Sequence, residues 1–523
     1  MVHSHYVQSV KTRLSSAYAR ITLNRVTTAF FIFSFVHCFA QGIIQSFLFS
    51  IDAEYNFLLS SITRVAGIPT SNMTYFEGVS GNLHLRMCDD IPHGQRRYPC
   101  IDIFRSEVDV NNFLVSNTRQ GIQSSNRFEG GVVVSAVRDS TSKNITGVTL
   151  TSESKTVSLS RQCTQTLVYP QQITRNSMRE DLTFVLLQFW LFAISVIAIM
   201  YDSVPHTLAV LMTRGLITAW SAFAVWRTKF IESKLQEMIF QNGTPCSFDP
   251  FPAYFNLRVS YEIPDLILNV TALLIACYLS LTLLRDYNAQ SFKCVGAPEH
   301  INRINKFFMA VLACLQLEAF VLVAAMGLWI DVLINTAIAK ISAHTALYKA
   351  LFIVTAILLL PWITMGWYAI RREMRVLMVV FLGIAFVILS GWSIMFYSIV
   401  YRWSFMEWPY LGCFTVASLV LIIASVVLGV ICRLNFGKGL AQYLQAEAAL
   451  ASSNFAPEVF SHDEEKDMDL DLKVPATFEQ PEVFYVAPPT VTRGGASEHS
   501  HPRAVHLSPS QSSLSNVPYN IPF

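Results

Sequence analysis

The chain has 523 residues, of which 52% are hydrophobic, 12% aromatic and only 14% charged, with a formal charge of +2. Such a chain is too apolar to be water-soluble, and its near-neutral balance excludes the basic face that a nucleic-acid partner needs. The composition is that of an α-helical multi-pass membrane protein, with the lipid bilayer as its first partner.

Residues 1–25 form a basic start with Lys11, Arg13, Arg20 and Arg25 and no acid, and an apolar run follows over 26–50. That run reads in two ways. A secretory signal ending at Ala40, with Cys38 at the small position before it, would be removed, whereas a signal-anchor would continue to Leu48 and stay. The long basic start and about 25 apolar residues favour the anchor. A mitochondrial presequence also lacks acids, but the sequons and cysteines described below count against one.

Residues 51–181 are predicted to be a β-rich extracytoplasmic domain. "GGVVVSAVRD" at 130–139, "TGVTLTS" at 146–152 and "KTVSLS" at 155–160 are rich in Val and Thr, alternate in polarity and are parted by polar turns. Four cysteines fall in segments assigned to this side, Cys88, Cys100, Cys163 and Cys246, and they allow three pairings. The favoured one joins Cys88 to Cys100 across "CDDIPHGQRRYPC" and Cys163 to Cys246, tying the outer domain to the loop after the third span. His84, Cys88 and His93 match no zinc spacing. The segment has no nucleophile elbow, H-E-x-x-H or phosphate loop, so neither a catalytic residue nor a cofactor is expected.

Eight stretches are long and apolar enough to span: 26–50, 182–201, 204–226, 264–284, 307–330, 350–370, 376–400 and 409–432. They make one signal-anchor and, over 182–432, a seven-helix bundle. With the N-terminus inside, the cytoplasmic connections and flanks hold thirteen Lys and Arg against seven on the short outer ones. Both termini are then cytoplasmic. The stretch "AIRREMRVLM" at 369–378 becomes a short inner turn whose arginines are topogenic charges. Sequons at Asn72, Asn144 and Asn242 fall outside, whereas Asn269 lies within a span. The expected location is the plasma membrane or a secretory-pathway endomembrane.

Within the spans, Arg214 in "LAVLMTRGLITAW" and Glu318 in "LACLQLEAFVLV" lie at matching depth. Each costs about 2.5–3.5 kcal/mol unless paired, so the two are expected to meet. Gln188, Asn269, Gln316, His37 and Gln41 are lesser polar groups. Pro361 is expected to kink the sixth span. "LLRDYN" at 283–288 only scrambles the acid-Arg-Tyr triplet of rhodopsin-type receptors, and the last span has no Asn-Pro-x-x-Tyr.

"CTQTLVYPQQITRNSMRED", "YEIPDLILNV", "RREMRVLMVVF", "RWSFMEWPY" and "CRLNFGKGLAQYL" together resemble uncharacterised multi-pass proteins of mushroom-forming fungi, over residues 160–445. The resemblance implies membership of a fungal multi-pass family and brings no activity or site.

Residues 433–523 form a tail rich in Ser, Pro and acids, predicted to be a disordered cytoplasmic segment. Cys432 at its root is a palmitoylation candidate, and Ser461 and Ser508 are phosphorylation candidates. "APEVF" at 456–460 returns as "QPEVF" at 480–484, a candidate docking motif for a cytosolic partner. Two functional classes follow: a non-enzymatic, receptor-like or trafficking protein with an extracellular ligand, or a transporter or channel using Arg214 and Glu318. Topology is tested by peptide mapping after endoglycosidase treatment, which should find Asn72, Asn144 and Asn242 modified and Asn269 bare. Modification at Asn269 would put that residue outside the bilayer and contradict the start of the fourth span at 264.

Overall fold

The computed structural model describes residues 15, 17–79, 82–91, 100–105, 132–140, 144–152, 155–240, 244–246, 253–290, 298–341, 345–440, 442–443 and 445–446. Its frame is eight helices long and apolar enough to cross a membrane. They are α1 (Arg25–Val65), α2 (Val168–Met200), α3 (Val204–Leu235), α4 (Tyr254–Gln290), α5 (Glu299–Asn335), α6 (Thr345–Arg371), α7 (Arg375–Met395) and α8 (Pro409–Asn435). Each contains or largely overlaps one expected span. Pro361 lies inside α6, and Pro264 inside α4.

Several helices run well past the apolar stretch that identified them. With 41 residues α1 is about 60 Å long, roughly twice the hydrocarbon thickness. It starts at a capping box, in which Asn24 and Thr27 satisfy each other's backbone N–H region. It ends at a Schellman turn: Gly67 sits at φ 67°, Gly67 N–H donates to the Arg64 carbonyl and Ile68 N–H to that of Thr63. Between these caps the helix passes unbroken through Ala40. Beyond residue 50 it buries Ile51, Tyr55, Leu58, Leu59 and Ile62, one face at helical spacing. The domain expected over 51–181 is therefore helical at both ends, and its sheets lie between Met73 and Ser160.

Two antiparallel three-stranded sheets occupy that interval: β1 (Met73–Val79), β2 (Asn82–Cys88) and β3 (Cys100–Arg105), then β4 (Val133–Arg138), β5 (Ile145–Ser152) and β6 (Lys155–Ser160). The second sheet coincides with the three strands read from the sequence. Cys88 and Cys100 face each other across β2 and β3, with their sulfurs 1.99 Å apart. Asp102 bridges Arg105 and Arg86 on the same sheet. Burial raises its carboxyl, but Arg105 first and Arg86 next outweigh this and hold it below the ordinary carboxylate range. Leu83, Leu85, Met87 and Phe104 of the first sheet and Val148, Leu150 and Leu159 of the second share one core with the α1 extension and with Met238 and Ile239 after α3. Cys163 and Cys246 lie 2.12 Å apart, sulfur to sulfur, and link the short helix Arg161–Thr166 before α2 to the segment after α3. The sheets are thus packed on helix ends and belong to the same compact unit as the bundle.

The helices pack as two consecutive rings of four. In the first, α1 meets α2 and α4, and α3 meets α2 and α4; in the second, α5 meets α6 and α8, and α7 meets α6 and α8. Contacts of α5 with α3 and α2 join the rings. Close approach in the second ring relies on Gly366, where a Cβ would lie 2.5 Å from the Phe381 ring. At the end away from the sheets, Glu373 takes φ 48° in the α6–α7 turn, and its carboxylate accepts from Gly437 N–H, 3.1 Å. Arg371 and Arg372 lie over Trp367 and Tyr368.

The Cys163–Cys246 bridge closes a separation of 83 residues. Replacing both cysteines with serine is expected to cost about 2–5 kcal/mol of stability, read as a lower thermal midpoint in detergent without reductant. An unchanged midpoint would show that the bridge contributes nothing.

Candidate functional site

The first ring has a polar interior that comes directly from helical spacing. On α4, Arg258, Glu262, Asp265 and Asn269 are four, three and four residues apart, which aligns them on one face. On α1 the file is His37, Gln41, Gln45 and Asp52; on α3 it is Arg214, Ser221 and Thr228; on α2 it is Asp181 and Gln188. All of these side chains are buried. Removing that many polar groups from water is tolerated only if they satisfy one another.

Arg258 is the hub. Its guanidinium bonds Asp52 of α1 through Nη1 and Glu262 of its own helix through Nε at 2.8 Å, and its Nη2 lies 3.6 Å from Asp181 of α2. The Tyr254 hydroxyl donates to Asp52, 2.8 Å, and Thr228 of α3 donates to Glu262, 2.8 Å. One turn further from the sheets, Asp265 accepts only neutral donors: Gln41, Gln45 at 2.6 Å, Ser221 at 2.6 Å and Asn269 at 3.0 Å. Deeper still, Arg214 donates to His37 Nδ1, 3.1 Å, and lies over the Phe33 ring at 4.8 Å.

Towards the sheets the network ends in a bidentate pair. Arg227 Nη1 and Nη2 donate to Glu180 Oε1 and Oε2 at 2.9 and 2.7 Å, and Trp408 Nε1 donates to the same carboxylate, 2.7 Å. Above this pair lies a cleft of about 650 Å³ at the sheet-bearing end, between the two rings. Its walls include Tyr169, Trp226, Phe230 and Trp403, and its charged groups are Arg64, Arg175, Arg179, Arg227, Glu180 and Glu407. Arg179 is bound to Asp331 of α5 at 2.5 Å, joining the rings at the cleft wall. Among the described residues, neither Arg64 nor Arg175 has a carboxylate within ion-pair distance; Arg175 donates instead to the Asn335 carbonyl, 3.0 Å. Below the Arg227–Glu180 pair is a second, small cavity of about 20 Å³ lined by the same two residues with Gln45, Asp181, Arg258, Glu262 and Asp265.

Several expected sites stand elsewhere than the sequence suggested. Arg214 and Glu318 do not meet: Arg214 faces α1, while Glu318 accepts from Ser425 of α8, 2.6 Å, inside the second ring. Equal depth does not set the rotation of each helix about its axis, and packing turned the two residues to different neighbours. Cys432 is fully buried in the core of the second ring, so its thiol is closed to the acylation expected of it. Asn144 is exposed, and Asn72 lines the cleft, with its amide 3.3 Å from the Met87 sulfur. Gln316 is part-buried, and both polar atoms of the buried Gln188 lack a hydrogen-bond partner among the described residues. Asn242, His93, Ser461 and Ser508 lie outside the described residues. The charged hub itself escaped sequence reasoning because Asp52, Asp181, Arg258 and Glu262 flank the apolar stretches and read as loop charges. The available signal was their spacing, which continues the buried faces of the spans.

No protein-family model, curated protein or solved structure matches the chain.

Removing the hub leaves Asp52, Asp181 and Glu262 facing one another out of water. Arg258→Met is expected to destabilise by about 3–5 kcal/mol, and adding Asp52→Asn should recover part of the loss, measured as the thermal midpoint in detergent. Equal loss in both would contradict the hub. Exchanging charges through Arg214→Glu with Glu318→Arg is expected to give no rescue over the single variants.

Proposed function

We propose that the chain is a receptor-like, non-enzymatic integral membrane protein whose sheet-bearing end faces outward and holds an amphipathic ligand with an anionic head group. The observation that carries this reading is the cleft. Its volume lies in the range of small-molecule sites, its aromatic walls offer apolar area, and Arg64 and Arg175 present positive charge, with no carboxylate at ion-pair distance among the described residues and only the more distant Asp331 acting on Arg175. Charge-assisted bonds from guanidinium to a carboxylate or phosphate are the strong, directional kind. The outward assignment rests on the charge bias of the connections and on the sequons at Asn72 and Asn144.

Ligand binding there has a direct route into the bundle. Glu180 and Arg227 line the cleft and also cap the buried network, so a ligand anion that competes for Arg227 alters a contact between α2 and α3. The segment beyond residue 446, with its repeated P-E-V-F, is the cytosolic docking segment of this reading. A second reading, transport, is favoured by the polar file that continues below the cleft through Asp265 to Arg214.

A fluorescent fatty-acid-type carboxylate is a suitable probe with protein in nanodiscs. Arg175→Met is expected to weaken its binding about tenfold or more, with Trp226→Ala weakening it as well, in fluorescence titration. Unchanged affinity in both variants would remove the cleft as the site. In proteoliposomes the receptor reading expects no probe accumulation; time-dependent uptake would favour transport.

A further inference from the structure

Building on the cleft as the ligand site, we infer that its occupant is an anionic phospholipid of the leaflet on the sheet-bearing side, admitted sideways between α3 and α8. Along α3, Met212, Leu216, Ala219, Phe223, Trp226 and Phe230 recur every three or four positions and so share one face. Met212 and Leu216 lie within the apolar stretch and are 53 and 60% exposed, the side turned to lipid. Phe223, Trp226 and Phe230, on the same face, line the cleft. The pattern returns on α8, where Pro409 lines the cleft and Cys413, Val416 and Val420 continue its face, all exposed. Trp220 of α3 meets Tyr410 of α8 at 5.0 Å, so the two helices flank one gap. Walls that pass without a break from cleft to lipid-facing surface leave the cleft open to hydrocarbon on that side.

The chain and the head group have separate places. Phe223, Trp226 and Phe230 follow one another at ring distances of 5.6 and 5.2 Å, an apolar track on which an acyl chain can lie. For the head group, depth and charge agree. Arg175 donates to the Asn335 carbonyl, five residues past the apolar stretch of α5 that ends at Ile330. At 1.5 Å per residue this puts its guanidinium about 7–8 Å beyond the hydrocarbon edge, the depth of lipid head groups. Of the charged groups lining the cleft, Arg227 pairs with Glu180 and Arg179 with Asp331, which leaves Arg64 and Arg175 set against Glu407. That excess of positive charge suits a phosphodiester, which a guanidinium binds with directional, charge-assisted bonds. A zwitterionic lipid would bring its own cation into the same excess.

The test uses the full chain in nanodiscs, with brominated acyl chains that quench tryptophan on contact. At equal mole fraction, brominated phosphatidylglycerol should quench more than brominated phosphatidylcholine, and the excess should saturate and be reversed by unbrominated phosphatidylglycerol. Glycerol phosphate, the head group without chains, should not reverse it. Trp226→Phe should lose part of the excess, and Arg175→Met should raise the half-saturating mole fraction about tenfold. Should Arg175→Met fail to fold, Trp226→Phe decides, because that side chain is 58% exposed and phenylalanine keeps an aromatic ring there. Quenching that rises in proportion to mole fraction without saturating is ordinary boundary lipid and overturns the proposal, as does a wild-type excess in Trp226→Phe. Reversal by glycerol phosphate overturns it in favour of an aqueous phosphate. Arg175-dependent binding of the fluorescent carboxylate without any anionic-lipid excess keeps the cleft as a site and overturns its lipid occupant, whereas loss of both removes the cleft itself.

Discussion

A guanidinium buried among carboxylates from several helices governs the architecture of the first ring. Arg258 has to be satisfied because an unpaired charge out of water costs several kcal/mol, and its partners come from α1, α2 and α4, with α3 joining through Thr228. Between helices in lipid the hydrophobic effect offers little, so polar contacts and close packing decide which faces meet. Here the hub does so near the sheet-bearing end, and Asp265 with its four neutral donors repeats the arrangement a turn or two further in. The helix α1 is inseparable from this ring. It contributes Asp52, Gln45, Gln41 and His37, and the continuous helix from Arg25 to Val65 places them all on one side.

The second ring is built differently. Trp362 donates to the Phe381 carbonyl, 3.1 Å, and stacks on the Phe381 ring, while Trp329 reaches Thr415, 3.2 Å, and stacks on Tyr401. Glycines and large aromatic side chains interlock there, and Glu318 is its buried acid, held by Ser425. A polar ring beside an apolar one produces a junction where the helix ends diverge. The cleft opens there, with Arg179 of α2 and Asp331 of α5 joining the two walls. Tyr75 of β1 meets Trp403 edge to face at 5.4 Å, so the first sheet reaches the rim of the same opening.

Much of the frame was legible in the sequence because its signals are local or additive. Apolar length identifies a span wherever the chain carries about twenty such residues, and the eight helices follow from it. Alternation in "TGVTLTS" and "KTVSLS" identifies strands, and the pairing of β5 with β6 is a short-range consequence. The first sheet was missed, although "SGN" at 80–82 is a turn signal, because "MTYFEGV" and "CIDIFR" alternate in polarity less regularly than "TGVTLTS" and "KTVSLS". The α1 extension was missed for another reason: "IDAEYNFLLSSITRV" carries its apolar residues at helical spacing, but a search for continuous hydrophobicity stops at the first acid.

Composition, span length and cysteine placement determined the number of helices long and apolar enough to cross a membrane and the segments available to the sulfurs, since each depends on residue type along the chain. Tertiary structure alone decided which polar faces turn towards each other. Arg214 and Glu318 agree in depth and oppose in charge, yet they face α1 and α8. Asp52 and Arg258 lie 206 residues apart and share a bond. Depth is a count along one helix, whereas azimuth is set by all the neighbours at once, and the hub, the cleft and the small cavity exist only at that second level.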